Sequence, residues 1–235
     1  MFTSLLSGAN AQERDNAPWP EGASRPQMKT YRAVAAGIDA YARHHDLAPD
    51  VPELRFRVGS KDGQFLQDPS LTLTIAADGL SLPVAVSADG VFSVPWSLPA
   101  YEKNAALVFS LPAGSYQIAP EVRTPGLPEN VRRLGDLRLE CKVAIAIAKQ
   151  EIPTVIVGIT NMMLLGGDWC MSRKGDVHFS NPPPQLVRKA TIRHGSKRRN
   201  LEVLAGEYKV PLGDKEWPDD TLIDLEYEQQ KVAAK

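Results

Sequence analysis

At 235 residues, with 43% hydrophobic and 23% charged side chains, the chain has room for one large core or two small ones and the composition of a soluble globular protein. A formal net charge of −1 provides no whole-molecule field toward nucleic acid or an anionic membrane. No apolar run reaches the roughly 18 residues of a membrane span; the longest, Ile152 to Leu165, is broken by Pro153, Gly158 and Asn161.

Residues 1–28 read as a flexible leader. Ala9-Asn10-Ala11 has the small-x-small form of a secretory cleavage site, although only Leu5-Leu6 and no basic residue precede it. The leader is therefore read either as a polar tail or as the remnant of an export signal. From Thr30, a suitable N-cap, Tyr31, Val34, Ala35, Ile38, Tyr41 and Ala42 recur at helical spacing on one face. This helix is expected to end at "LAPDVP", where Pro49 and Pro52 cannot continue it. Tyr31 and Tyr41 read as packing residues.

The next hundred residues read as strands. Leu54-Phe56-Val58, Leu71-Leu73-Ile75 and Leu82-Val84-Val86 alternate apolar with other residues, and Asp78-Gly79 and Asp89-Gly90 supply hairpin turns. "ALVFSLPAGSYQIAPEV" adds two more strands. Short strands at intervals of about ten residues point to a sandwich or barrel. The segment 136–147 is ambiguous. Leu137, Leu139, Cys141, Val143, Ile145 and Ile147 alternate as a strand would, yet Leu137, Cys141, Ala144, Ile145 and Ala148 share a helical face. Pro153 to Leu165, stopped by Gly166-Gly167, reads as a helix, although the β-branched run Val155-Ile156-Val157 favours a strand. "DVHFSN", "QLVRKATIRHGSKRRNLEVL", "GEYKVPL" and "DTLIDLEYE" return to strands. The expected organisation is a leader over 1–28, a helix-plus-sandwich domain over 29–150, and a helical or mixed insert with a C-terminal β segment over 151–235. The class is α+β, rich in β.

"LPAGSYQI" (111–118) and "VLAGEYKV" (203–210) share the form Ala-Gly-x-Tyr-x-apolar. Glycine permits a tight turn, and the tyrosine then starts a strand with its ring on the packed face. The phrase resembles the strand entry of transthyretin-like sandwich modules, including bacterial carboxypeptidase-regulatory-like domains, and "SADGVFSVP" resembles their central hairpin. The resemblance covers about a quarter of the chain and implies a non-catalytic β module.

Cys141 and Cys170 are the only cysteines. Together with His44, His45, His178 and His194 they lack the spacing of a structural zinc site, and no cofactor is expected. A disulfide accounts for both cysteines at once and fits an oxidising compartment, periplasmic or secreted. Two buried free thiols in a cytoplasmic protein are the alternative. A third reading makes Cys170 a nucleophile beside His178 in a small hydrolase or thiol enzyme.

The run "RKATIRHGSKRRN" carries Arg188, Lys189, Arg193, Lys197, Arg198 and Arg199 without an acid. It reads as a basic hairpin that either binds an anion or glycan or lies across the acidic segment 202–228 in cross-strand charge pairs. It has no aromatic residues to stack on bases, and nucleic acid is not expected as a partner. Nucleophile-elbow, phosphate-loop and zinc-protease motifs are missing. The acids of "WPDD" and "IDLEYE" read as turn and strand-face residues. The tryptophans read as loop anchors unless exposed, in which case they would form a platform for sugars. The reading is thus an exported, periplasmic, non-catalytic binding or structural module of the bacterial envelope with a protein or glycan partner.

Overall fold

The computed structural model describes residues 29–60, 66–111, 115–151, 168–171 and 186–228. The leader 1–28, the helix expected over 153–165, the strand "DVHFSN" with His178, and the last seven residues lie outside the described residues.

A two-residue strand β1 (Lys29–Thr30) leads into α1 (Tyr31–Arg43), and the Thr30 hydroxyl accepts the Ala33 N–H at 3.3 Å as the N-cap. The helix ends before His44, with a 3-10 turn at His45–Leu47 ahead of the prolines. Strands β2 (Arg55–Ser60), β3 (Leu73–Ala77), β4 (Leu80–Val84), β5 (Val91–Phe92), β6 (Ala106–Phe109) and β7 (Tyr116–Glu121) follow, with a short helix α2 (Leu98–Glu102) between β5 and β6. They form two antiparallel sheets of order β1-β6-β3-β4 and β5-β2-β7. Asp78-Gly79 closes the β3–β4 hairpin, pairing Ala77 with Leu80. Asp89-Gly90 does not join partners in one sheet: β4 pairs with β3 whereas β5 pairs with β2, so this turn carries the chain from one sheet to the other.

Leu54, Phe56, Val58, Leu71, Leu73, Ile75 and Val84 are buried as predicted, whereas Leu82 and Val86 are half-buried at the edge of the core. Phe56 and Phe92 stack at 5.6 Å, Phe92 meets Phe109 edge-on at 5.6 Å, and Phe109 meets Tyr116 at 4.9 Å. This aromatic relay runs through β2, β5, β6 and β7 and joins both sheets into one core. Tyr31 and Tyr41 use both ends. Their rings pack against the core, while the Tyr31 hydroxyl donates to Pro95 O at 2.7 Å and accepts from Ser97 N–H at 2.6 Å. The Tyr41 hydroxyl donates to Val51 O at 2.7 Å.

After β8 (Val131–Arg133) the ambiguous segment is a helix, α3 (Leu134–Glu151). Its alternation mimics a strand because the helix is buried on two sides. Leu139, Val143 and Ile147 at i, i+4 and i+8 face the first core, whereas Leu134, Leu137 and Cys141 at i, i+3 and i+7 face a second. α1 runs against α3 through Ala33, Gly37 and Ala40, a buried face that the predicted stripe did not include; Ala42 of that stripe is exposed. A Cβ at Gly37 would stand 2.8 Å from Ile147 Cγ1, so only glycine admits this approach. Gly135 is constrained more tightly, with Leu47 O at 2.0 Å from where its Cβ would be.

The second core lies under β9 (Val187–His194), β10 (Lys197–Asn200), β11 (Val203–Leu204), β12 (Glu207–Tyr208) and β13 (Leu222–Tyr227). The order β10-β9-β13-β8 makes a four-stranded antiparallel sheet, and β11-β12 is a small hairpin. Ile223 and Leu225 point inward with Trp217 and Tyr208. Both tyrosines of the Ala-Gly-x-Tyr phrases, Tyr116 and Tyr208, are buried. The molecule is a β-rich α+β protein with α3 as the element common to both cores. Among the described residues no helix is long and apolar enough to cross a membrane.

Candidate functional site

The sulfurs of Cys141 and Cys170 lie at disulfide distance, 2.07 Å, with their Cα atoms 5.9 Å apart. Both residues are buried in the second core. The turn that presents Cys170 is built by Asp168, whose carboxylate accepts the Cys170 N–H at 2.9 Å and pairs with Lys142, one helical step from Cys141. Gly213 lies against this turn: a Cβ there would be 2.6 Å from Met171 O. The proposed base for Cys170, His178, is outside the described residues.

The basic hairpin is the β9–β10 pair. Arg188 and Lys189 meet Glu226 of β13 at 2.6 and 3.1 Å. Arg193 meets Asp224 at 2.6 Å through a two-pronged contact. Lys197 pairs with Glu216 at 2.8 Å and Arg199 with Asp214 at 3.5 Å, and both cations lie over the Trp217 ring. Arg198 has no ion pair among the described residues. Hydrogen bonding to Lys189 holds the Glu226 carboxyl below its ordinary range, and hydrogen bonding to Asp224 raises Arg193. Five of the six candidate cations are thus engaged by acids between Asp214 and Glu226.

The first half of α3 carries three buried charges that the strand-like alternation concealed. Asp136 accepts the Thr124 N–H at 2.8 Å and its hydroxyl at 2.7 Å. Glu140 accepts the Val122 N–H at 2.9 Å and Arg132 at 2.8 Å. Burial pushes the Glu140 carboxyl up to about 7, outweighing the attraction of Arg132. Arg138, 4% exposed, donates to Leu212 O, Asp214 O and Trp217 O at 2.9 to 3.1 Å and to the Asp219 carboxylate at 2.5 Å. The helix N-terminus is satisfied from the same loop, since Leu134 N–H donates to Thr221 O and Gly135 N–H to Asp219 O, each at 2.8 Å. These groups fasten the loops of both cores to one helix. The spacing Asp136–Glu140, i to i+4, is the sequence signal for a shared helical face.

A groove of about 670 Å³ runs between α1 and α3. Arg32, Arg43, Lys142 and Lys149 line it against the two carboxylates Asp39 and Asp168. Lys149 Nζ lies 4.6 Å over the Trp169 ring, and Cys170 forms part of the wall. At the other end Arg32 is fixed, donating to Tyr101 O at 2.9 Å and Glu102 O at 3.0 Å with its guanidinium 5.5 Å over the Tyr101 ring. His44, also in the wall, has its pKa lowered by burial and then by Lys142 and Arg43. Nothing in the sequence pattern gathers these cations, because they come from two helices more than ninety residues apart.

Among the described residues, no group of three or more His, Cys, Asp or Glu side chains is placed to hold a metal ion. His45 contacts Val51 O at 2.7 Å, and His194 stands 3.3 Å from Asp220 at the surface. No family model, curated protein or solved structure matches the chain.

Proposed function

We propose that this chain is an exported, non-catalytic binding or structural module of the bacterial envelope, its first β domain a transthyretin-like sandwich. One observation carries the reading: Cys141 and Cys170 stand at bonding distance inside a core, and such pairs persist in oxidising compartments. The sandwich is supported by the turn at Asp89-Gly90, which moves the chain between sheets, and by the single aromatic relay fed from both. The rival thiol-enzyme reading is less well supported, because a sulfur joined to Cys141 is not available as a thiolate.

The test is to produce the protein with an added export signal in the periplasm and, separately, in the cytoplasm, and to compare melting. The periplasmic protein is expected to melt higher, and Cys170→Ser to bring it down to the level of the cytoplasmic one. Equal melting of all three forms contradicts the reading.

A further inference from the structure

Large apolar side chains are exposed in a cluster at one end of the α1–α3 groove. Trp96, Leu98 and Tyr101 are 56%, 57% and 40% exposed. Trp96 and Tyr101 form a pair with ring centroids 5.7 Å apart, and the Trp96 ring backs onto the buried Tyr31 at 6.4 Å. The shelf is therefore held in place by a core residue whose hydroxyl pins the Pro95–Ser97 backbone on either side of Trp96. Leaving two aromatic rings in water is unfavourable unless they meet a partner.

Tyr101 belongs to both the shelf and the groove, and Arg32 is anchored beside it. α1 and α3 are antiparallel, with Lys29 paired to Glu151, so from Arg32 the groove continues past Lys149 to Lys142 and Arg43. Its volume lies in the range of about 300–1,000 Å³ common for small-ligand sites. Lys142 is paired with Asp168 and Arg32 is held by backbone carbonyls, whereas Arg43 and Lys149 line the groove with no ion pair among the described residues. Aromatic rings suit the apolar C–H faces of pyranose rings, and spaced cations suit carboxylates carried at intervals along a chain. The basic hairpin expected from sequence to bind anions offers neither: five of its cations are paired with acids, and its Trp217 is buried.

We propose that the α1–α3 groove, with the Trp96–Tyr101 shelf at its Arg32 end, is a binding site for an acidic, uronate-bearing oligosaccharide. The site deepens the binding-module reading and rests on it only for where such a glycan is met. The Cys141–Cys170 pair holds the Asp168–Met171 turn, so it also holds the far wall of the groove.

The test is isothermal titration of the purified chain with hexameric galacturonate and hexameric mannuronate, each against its uncharged methyl ester, together with tryptophan fluorescence. At least one acid form is expected to bind, with an affinity that falls as salt rises and exceeds that of its ester by about tenfold or more. Arg43→Glu with Lys149→Glu should weaken binding by about tenfold or more at an unchanged melting temperature. Trp96→Ala should weaken it by several-fold and reduce the fluorescence change, Trp169 remaining in the groove wall. Arg198→Glu, on the hairpin, should leave affinity unaltered. The proposal is overturned if neither acid binds, if acid and ester bind alike, or if the hairpin variant is the damaging one. Because the titration does not depend on compartment, its failure leaves the thiol-state result standing.

Discussion

The two cores that meet at α3 are held by different means. The first, over residues 29–122, is an aromatic and aliphatic interior with few internal charges, closed by helix packing through Gly37. The second, over 187–228, is smaller and adds a cysteine pair, Arg138 clasping three carbonyls, and surface ion pairs between β9 and β13. A small sheet buries too little apolar surface to stabilise itself by packing alone, so covalent and polar fastenings take a larger share. α3 lets one helix do both tasks, presenting Leu139, Val143 and Ile147 to the first core with Asp136 and Glu140 bonded to the segment after β7, and leucines, cysteine and Arg138 to the second.

That contrast is sharpest at Arg138. Arg138→Met should destabilise the protein by about 3–5 kcal/mol, because three buried carbonyls and Asp219 lose their donor together. Urea denaturation would measure this, and a loss below about 1 kcal/mol would mean the loop is held otherwise. Replacing both cysteines by alanine should cost about 3–4 kcal/mol on the chain-entropy model. Hydrogen exchange should then show the loss concentrated in β9 to β13, with the first core nearly unchanged. Uniform loss over both halves would erase the distinction drawn between them.

In the first core the corresponding weak point is a contact. Gly37→Ala should cost about 1–3 kcal/mol by forcing Ile147 away, and Ile147→Val in the same molecule should return part of it. No recovery in the double variant would show that the α1–α3 approach is limited elsewhere.

Glu140 adds a pH dependence at the junction. Its carboxyl is raised in the folded state, so the folded protein holds the proton more tightly than the unfolded chain does. Its contribution is complete below the ordinary value of 4.5 and is lost as pH rises through about 7. Glu140→Gln should therefore flatten the fall in stability over that interval, as read from urea midpoints at its two ends. An unchanged slope would place the titration on another group. The smallest effect is expected at the hairpin surface, where Arg188→Ala should change stability by no more than about 0.5 kcal/mol, its pair with Glu226 being exposed and screened.

Much of the first core was legible because its strands are buried on one face and its turns carry Asp-Gly. Phe56, Val58, Leu73 and Ile75 all lie where alternation puts them. What the pattern did not distinguish was a hairpin from a crossover at Asp89-Gly90, since turn chemistry is local and sheet membership is not. α3 was ambiguous for a physical reason. Two buried faces on one helix produce nearly continuous apolar spacing, and periodicity then loses its phase. The cysteine pairing was suggested by number and the charge pairs of β9 and β13 by complementary composition. The α1–α3 groove was not legible at all, because its cations become neighbours only when Gly37 brings the helices together.

The measurement that bears most directly on the account is the thiol state of the protein recovered from an oxidising compartment. Free thiols are blocked under denaturing conditions, and the mass is read with and without prior reduction. With Cys141 and Cys170 bridged, no label enters until the protein is reduced, and two labels enter afterwards. Two labels entering without reduction would contradict the bridge, and with it the reading of the chain as an exported module.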